Sequence, residues 1–470
     1  MITATANYLA ADAQISKRPV ILITISDYSR AFSNRTSVPG YGGLIVDWLS
    51  SISDLQITVN DLDGGTDLAD LVFNVQDRGA AITADFPTFV FEGKVVTLYS
   101  GYVGLNFADF IVLFTGRIDS VESANSNLEY VFSCPDIRND LNRAIYTVAD
   151  DGQNTSSGHV RTLNGHPLDI LIDALETECG LLSAQVDEAK ITQYRDTIYS
   201  GAQMSFELDT APVAKEFIES ELLKPIGAYM RTDNLGRVTV EFAYPVNATT
   251  VFDFTPDNVL DIPSAGQADL INQVISRIDA ISSTETSAGS GFAAERVQQD
   301  SASIIKYGMY GQQIIESKGL RSGLNGLFLA SMTSFLIFLR YANKGLCHGD
   351  NGKNSSSDPV NAMWSAALLE PGDFVNLTHP KVPDRALGVM GVTNKRYIVM
   401  DRTLQFLIGS AGTVQLKLLE VDLNKFKQFL IAPNGEASYV SASTTDKGKY
   451  MFLCNDSDLY SNNDPGNTLS

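Results

Sequence analysis

From Ala366 to Asp422 the chain is a succession of short apolar runs divided by turn residues. Glu370-Pro371-Gly372-Asp373 reads as a turn, because Pro fixes φ and Gly frees it. Phe374, Val375 and Leu377 follow as one β-type run, and Tyr397 to Met400 form a second. In the third, Val414, Leu416, Leu418 and Val421 interleave with Gln415, Lys417 and Leu419, mostly the period-two signal of a half-buried strand. A related layout occurs near the start. Glu92-Gly93-Lys94 leads into Val95 to Tyr99, Phe110 to Val121 returns with Gly116 as the expected bulge or bend, and Leu128 to Ser133 alternates again. Two antiparallel barrels of one kind are predicted.

Around and between these runs the pattern changes. Pro19 to Ile25, Trp48 to Val59 and Leu71 to Val75 read as further strands of the first β-domain. After a linker at 150–158, Leu168, Leu171, Ile172 and Leu175 recur at helical spacing, with Gly180 as the C-cap. A second helix is expected over 212–223, and a hairpin over 227–242 with Asp233-Asn234-Leu235-Gly236 at its tip. Leu270 to Ile278 reads as the strand that re-enters a β-domain, 282–291 as a loop tip, and Ser303 to Met309 as a short extended piece. Leu324 to Leu339 is apolar for roughly 16 residues, short of the ~20 that span a bilayer, and interrupted by Asn325, Ser331, Thr333 and Ser334, so a buried helix is expected. A long polar loop is expected over 345–360. The resulting class is mainly β with α+β, with two antiparallel β-barrel or β-sandwich domains flanking a small α+β domain. Its parts are a first β-barrel domain at 1–149, a small α+β domain at 159–265, and a second β-barrel from 266–310 and 365–430. A helical insertion with a polar loop at 311–364 and a C-terminal extension at 431–470 complete the chain.

Composition narrows the function classes. The chain has 470 residues, 44% of them hydrophobic, which supports folded cores. A net charge of −21 leaves no basic stripe to neutralise phosphates, which excludes a general nucleic-acid binder. Cys134, Cys179, Cys347 and Cys454 are scattered without a C-x-x-C pair, so neither a disulfide framework nor a zinc ribbon is predicted and free thiols are expected. The first residues carry no basic segment ahead of an apolar run, so no secretion signal is read.

The search for chemistry returns little. Gly289-Ser290-Gly291 lies in a linker-like loop rather than a nucleophile elbow. No Gly-rich phosphate loop joins a strand to a helix. His159, His166, His348 and His379 have no metal-ligand spacing. Asp61, Asp63 and Asp67 resemble a calcium loop only until its last ligand, where Val72 stands in place of Glu. The acidic residues offer carboxylate pairs without selecting one. No catalytic residue, cofactor-binding residue, cofactor or metal ligand is predicted, and the work of such a chain falls to its surfaces.

Three strings carry a resemblance. Leu222 to Val240, Leu368 to Pro380, and Phe91 to Tyr99 followed by Phe114 to Glu122 are similar to hub proteins of bacteriophage tail tips and baseplates. The resemblance covers roughly residues 17–425 and implies two tail-tube-type barrels per chain and a homotrimer. Three chains then present six barrels, matching a six-fold tail tube or distal ring on one side and a three-fold tip or fibre on the other. It further implies a non-enzymatic virion component, made in the bacterial host cytoplasm, that lines the DNA exit channel. The implied partners are a distal tail or tail tube protein, a central fibre or tip protein and the tape measure protein, with no sequence-specific nucleic-acid binding and no membrane span. An acidic chain suits a channel that DNA must pass without sticking. Some such hubs carry an iron–sulfur cluster on grouped cysteines, and the scattered cysteines here depart from that. The competing expectations are a distal tail protein forming a hexameric ring, and an envelope-degrading enzyme or carbohydrate-binding protein of the tail.

Overall fold

The computed structural model describes residues 1–421 apart from 15–17, 61, 125–127, 156–157, 243–248, 263–265, 268, 282–290, 309, 344, 350–358, 385–386 and 409–411, together with 430–431, 450–451, 459–460 and 464–465. It comprises two compact units. Met1–Tyr244 with Ala248–Val421 form the large one. Pro245–Asn247 with Asp422–Ser470 form the other, in which Leu430–Ile431 pairs in parallel with Tyr450–Met451, and Leu459–Tyr460 antiparallel with Asp464–Pro465.

The large unit begins with helix α1 (Ala6–Asp12), capped by the Thr5 hydroxyl, a helix that the apolar pattern did not signal. Eleven strands follow: β1 (Pro19–Ile25), β2 (Arg30–Ser33), β3 (Leu44–Val46), β4 (Leu49–Ile52), β5 (Leu55–Asn60), β6 (Gly65–Thr66), β7 (Asp70–Gln76), β8 (Val95–Tyr102), β9 (Ile111–Arg117), β10 (Ser120–Ala124) and β11 (Glu129–Pro135). Nine of them form one sheet in the order β3-β2-β1-β8-β9 and a second in the order β10-β11-β7-β4, while β5 and β6 belong to a further sheet built mostly from later strands. The inner faces meet through buried phenylalanines. Phe73 and Phe132 stack at 4.9 Å in one sheet, and Phe32 of the other lies 6.1 Å from Phe132. Burying each such ring stabilises the fold by about 2–3 kcal/mol. The run Trp48 to Val59, expected as one strand, divides into β4 and β5, which belong to different sheets. Gly116 is not the bulge. The register slips between Leu98 and Tyr99, while at Gly116 a Cβ would stand 2.6 Å from the Pro135 carbonyl oxygen. A glycine is required there by close approach.

The middle of the chain contains β12 (Arg161–Gly165), α2 (Pro167–Asp173), α3 (Glu188–Thr197), β13 (Met204–Leu208), α4 (Ala214–Glu216), β14 (Ala228–Thr232) and β15 (Val238–Phe242). The α2 and α4 helices continue into widened turns at Ala174–Glu178 and Phe217–Leu223. The hairpin β14–β15 turns at Asp233–Gly236, as its sequence predicts.

The remaining strands are β16 (Phe252–Phe254), β17 (Val259–Asp261), β18 (Gly266–Gln267), β19 (Gln273–Ala280), β20 (Phe292–Gln299), β21 (Gln312–Glu316), β22 (Leu346–His348), β23 (Val360–Met363), β24 (Phe374–Asp384), β25 (Val389–Gln405) and β26 (Thr413–Glu420). Helices α5 (Ser301–Tyr307) and α6 (Gly326–Tyr341) lie among them. Three expectations change here. β19 does not join the sheet of β24–β26; it pairs with β20 and β21 in a separate sheet, and Ile278 packs into the core of the α+β segment with Leu320 and Leu329. Of the piece expected to be extended, Ser303 to Met309, residues 303–307 are helical, because Asp300 caps Ser303 N–H and starts α5, and Met309 lies outside the described residues. The polar loop begins with β22, whose Cys347 opposes Leu419, and its last residue, Val360, begins β23. Helix α6 buries one face, while Leu327, Phe328 and Phe335 are exposed. Among the described residues none of the sheets closes on itself, so the architecture is mainly β in open sheets rather than closed barrels.

The pairings around β8 recur around β24. Gly93 N–H donates to Ile118 O (2.8 Å) and Ile118 N–H to Lys94 O (2.9 Å). Likewise Gly372 N–H donates to Val399 O (2.8 Å) and Val399 N–H to Asp373 O (2.9 Å). Both glycines have positive φ, 79° and 97°, which the turn requires. The next rungs, Val95 with Arg117 and Val96 with Gly116, match Phe374 with Ile398 and Val375 with Tyr397. Beyond the corner, Ser120 with Ser133 and Val121 with Phe132 match Asp401 with Lys417 and Arg402 with Leu416. One strand further, Phe132 with Phe73 and Tyr130 with Val75 match Leu416 with Val360 and Val414 with Ala362. At the edge, Leu49 with Val75 and Ser51 with Asn74 match Val259 with Ala362 and Asp261 with Asn361, with the register slipping at the same step. Strands β4, β7, β8, β9, β10 and β11 thus correspond to β17, β23, β24, the two halves of β25, and β26.

Candidate functional site: the seam between modules and its buried charges

The two β-modules are joined by backbone pairing. β5 leaves the first module and runs antiparallel to the second half of β25: Leu55 opposes Leu404, Gln56 Thr403, Ile57 Arg402 and Thr58 Asp401. Leu55 and Leu404 are fully buried, and the apolar core runs unbroken from the phenylalanines of the first module to Val375, Leu377 and Tyr397 of the second. At the seam's rim the Asp401 carboxylate accepts from the Thr58 hydroxyl (2.5 Å) and from Gln56 Nε2 (2.8 Å). Trp364 Nε1 reaches Ser100 Oγ across the same core (3.4 Å).

Behind the seam lies a set of buried charges where the β-modules meet the β14–β15 hairpin. Arg231 of β14 donates to Glu370 Oε1 (3.0 Å), in the turn before β24, and to Glu241 Oε1 of β15 (2.8 Å). Lys190 of α3 pairs with the same Glu241. Burial alone would raise the Glu370 carboxyl, but the charges of Arg231, the terminal ammonium of Met1 and Arg402 more than offset it and hold it at about 2. Arg402 donates to the carbonyls of Ala367 (3.2 Å) and Leu369 (2.7 Å), and burial brings its guanidinium down to about 10 despite Glu370. Arg138, fully buried, donates to Asp136, to the hydroxyl of Thr232 on β14 (3.1 Å), and to the Thr66 (3.0 Å) and Asp67 (2.7 Å) carbonyls of the first module. Arg231 and Arg138 each bond more than one segment, so they fix where those segments sit.

The residues considered earlier for chemistry do not converge. His159 pairs with Asp151 (2.7 Å) at the surface, and His166 caps α2 through Leu168 N–H. His348 is buried in β22, 5.8 Å from the Tyr397 ring, and His379 accepts from Lys381 N–H in β24. Asp63 takes Asn60 Nδ2 (2.8 Å) and Lys224 Nζ (3.1 Å), and Asp67 N–H bonds Thr58 O; Asp61 lies outside the described residues, as do Gly289, Ser290 and Cys454. Cys134, Cys179 and Cys347 are buried and form no disulfide among the described residues, with burial pushing Cys179 up to about 11 and Cys134 higher still. Among the described residues no three His, Cys, Asp or Glu side chains stand together as metal ligands, and no helix is long and apolar enough to cross a membrane. The charge cluster was missed in the sequence. Its one signal was Arg402, which shares the period-two face of Leu404, a charge where alternation calls for an apolar residue.

Solved structures to which the chain is similar include tail proteins and a component of the type VI secretion system. They include the 43 kDa tail protein of prophage MuSo2 from Shewanella oneidensis, with a TM-score of 0.44 and 12% identity over 85% of this chain and 98% of that one. A tail protein from Neisseria meningitidis MC58 has a TM-score of 0.45 and 10% identity over 86% and 96%. The E. coli c3393 protein, described as a component of the type VI secretion system, has a TM-score of 0.42 and 10% identity over 87% and 81%. No family model and no curated protein matches the sequence.

Proposed function

We propose that the chain is a structural, non-enzymatic hub subunit of a phage-type tail tip or baseplate, acting as a homotrimer. The observation that carries this reading is the repeat of strand register: one polypeptide holds two β-modules with the same turn, corner and edge slip. Three such chains place six like modules around an axis while keeping true three-fold symmetry. One face then fits a six-fold tail tube or distal ring, and the other a three-fold fibre or tip protein, with the tape measure protein and exiting DNA passing along the axis. The two strings that resemble tail hubs, Phe91 to Tyr99 and Leu368 to Pro380, open the corresponding strands β8 and β24, which supports the same reading. The buried charges hold the modules at one spacing, as a ring requires. A distal ring protein with one module per subunit is the rival, and the second module speaks against it.

Electron microscopy of the purified chain, with native mass spectrometry, tests the reading. Three copies in a six-lobed ring are expected. Six copies, or a lone subunit that degrades glycan or peptidoglycan, would overturn it.

A further inference from the structure

The seam inside the chain is a head-to-tail contact, and among the described residues one of the two acceptor sites that the repeat defines is filled and the other is not. In the second module the acceptor is Asp401 to Leu404, and β5 of the first module occupies it. By register, the counterpart in the first module is Ser120 to Ser123 of β10. There the strand is the edge of its sheet, and no described strand pairs with its outer side. Ser120, Val121 and Ala124 are half-buried, and Glu122 and Ser123 are exposed. The edge carries little of the usual protection. It has no proline, no lysine and no break in its register with β11, and its one charge is Glu122.

We infer that the outer edge of β10, at Ser120–Ala124, is the docking site for an extended segment of a second copy of this chain, contributed by that copy's second module. The argument rests on the reading of the chain as a ring-forming trimer. In such a ring the modules alternate, so each first module is preceded by a neighbour's second module. If each module hands a strand to the next, every second module is served within its own chain and every first module only by a neighbour. That is the pattern of one filled and one open acceptor. A strand added to β10 would be antiparallel, like β5 on β25, and would supply main-chain hydrogen bonds without a deep pocket. A heterologous contact of this kind closes into a ring when the rotation per module is a sixth of a turn.

The test combines hydrogen exchange with two substitutions. In the wild-type chain, amides on the outer side of 120–124 should exchange at least ~10-fold more slowly in the assembled protein than in the dilute monomer. Val121→Pro and Glu122→Pro are made separately, because neighbouring amides face opposite sides of a strand and only one of the two can interrupt the outer edge. One variant should keep the monomer's melting temperature and lose assembly. A six-lobed trimer in which 120–124 exchange as in the monomer, or in which both variants assemble normally, would overturn this inference and leave the trimeric reading standing. A chain that is monomeric at every concentration would overturn both.

Discussion

Arg231 Nη1 stands 3.0 Å from Glu370 Oε1, and this contact ties the α+β segment to the turn that launches the second β-module. Both residues are almost fully enclosed, so neither charge can be left alone cheaply. Glu370→Gln should destabilise the protein by about 3 kcal/mol, because the Arg231 guanidinium keeps only Glu241 and Arg402 loses its nearest compensation. Replacing the pair together, with Arg231→Met and Glu370→Leu, should recover part of that loss. Urea denaturation of the single and double variants measures both effects.

The same carboxylate predicts an acid limb. Its folded pKa is about 2, below the ordinary glutamate value of 4.5, so the stability it contributes is present above pH 4.5 and is lost as pH falls toward 2. The full difference corresponds to roughly 3 kcal/mol. Denaturation midpoints should drop between pH 5 and pH 3, and the drop should be shallower in Glu370→Gln.

The seam predicts joint unfolding of the two modules. Leu55→Ala or Leu404→Ala removes a fully buried side chain where β5 meets β25, and should cost about 2–4 kcal/mol. Because one core serves both modules, calorimetry should show the loss as a shift of a common transition rather than as release of one module.

Two glycines should respond differently to alanine. Gly116→Ala sets a methyl 2.6 Å from a backbone carbonyl that cannot yield, so a loss of about 2–3 kcal/mol is expected. Gly93→Ala meets open space and pays only for its positive φ, about 1 kcal/mol. Thermal melts of both variants check the order.

The thiols of Cys134 and Cys179 should resist alkylation in the folded protein, since burial both hides them and raises them away from the reactive thiolate. Peptide mapping after native and denatured treatment with iodoacetamide should find them modified only in the second case.

Much of the fold could be read from the chain where the signal is local. The turns at Gly93 and Gly372, the alternation of Val414 to Val421 and the hairpin around Asn234 each carry their instruction within a few residues. What the chain did not disclose is partnership. The alternation of Gln273 to Ala280 marks a strand but not its neighbours, which are β20 and β21 rather than β24. Leu346 to His348 is too short to show a period, and the adjacent Ile304 and Ile305 look like strand until Asp300 caps the turn beneath them. The repeat shows in the layout of turns and strands but not residue by residue. Matching positions hold Val121 against Arg402 and Phe132 against Leu416, so backbone register persists where side chains do not. Arg138 has no sequence signal at all, because its acceptors come from three separate segments.

β25 runs for 17 residues, roughly 55 Å if fully extended. Its first half lies against β24, and its second between β26 and β5. A pull along its axis would therefore shear all three ladders at once, stressing many bonds together, whereas a sideways pull would peel them singly. That one strand gives the chain tensile strength in the direction in which its backbone runs.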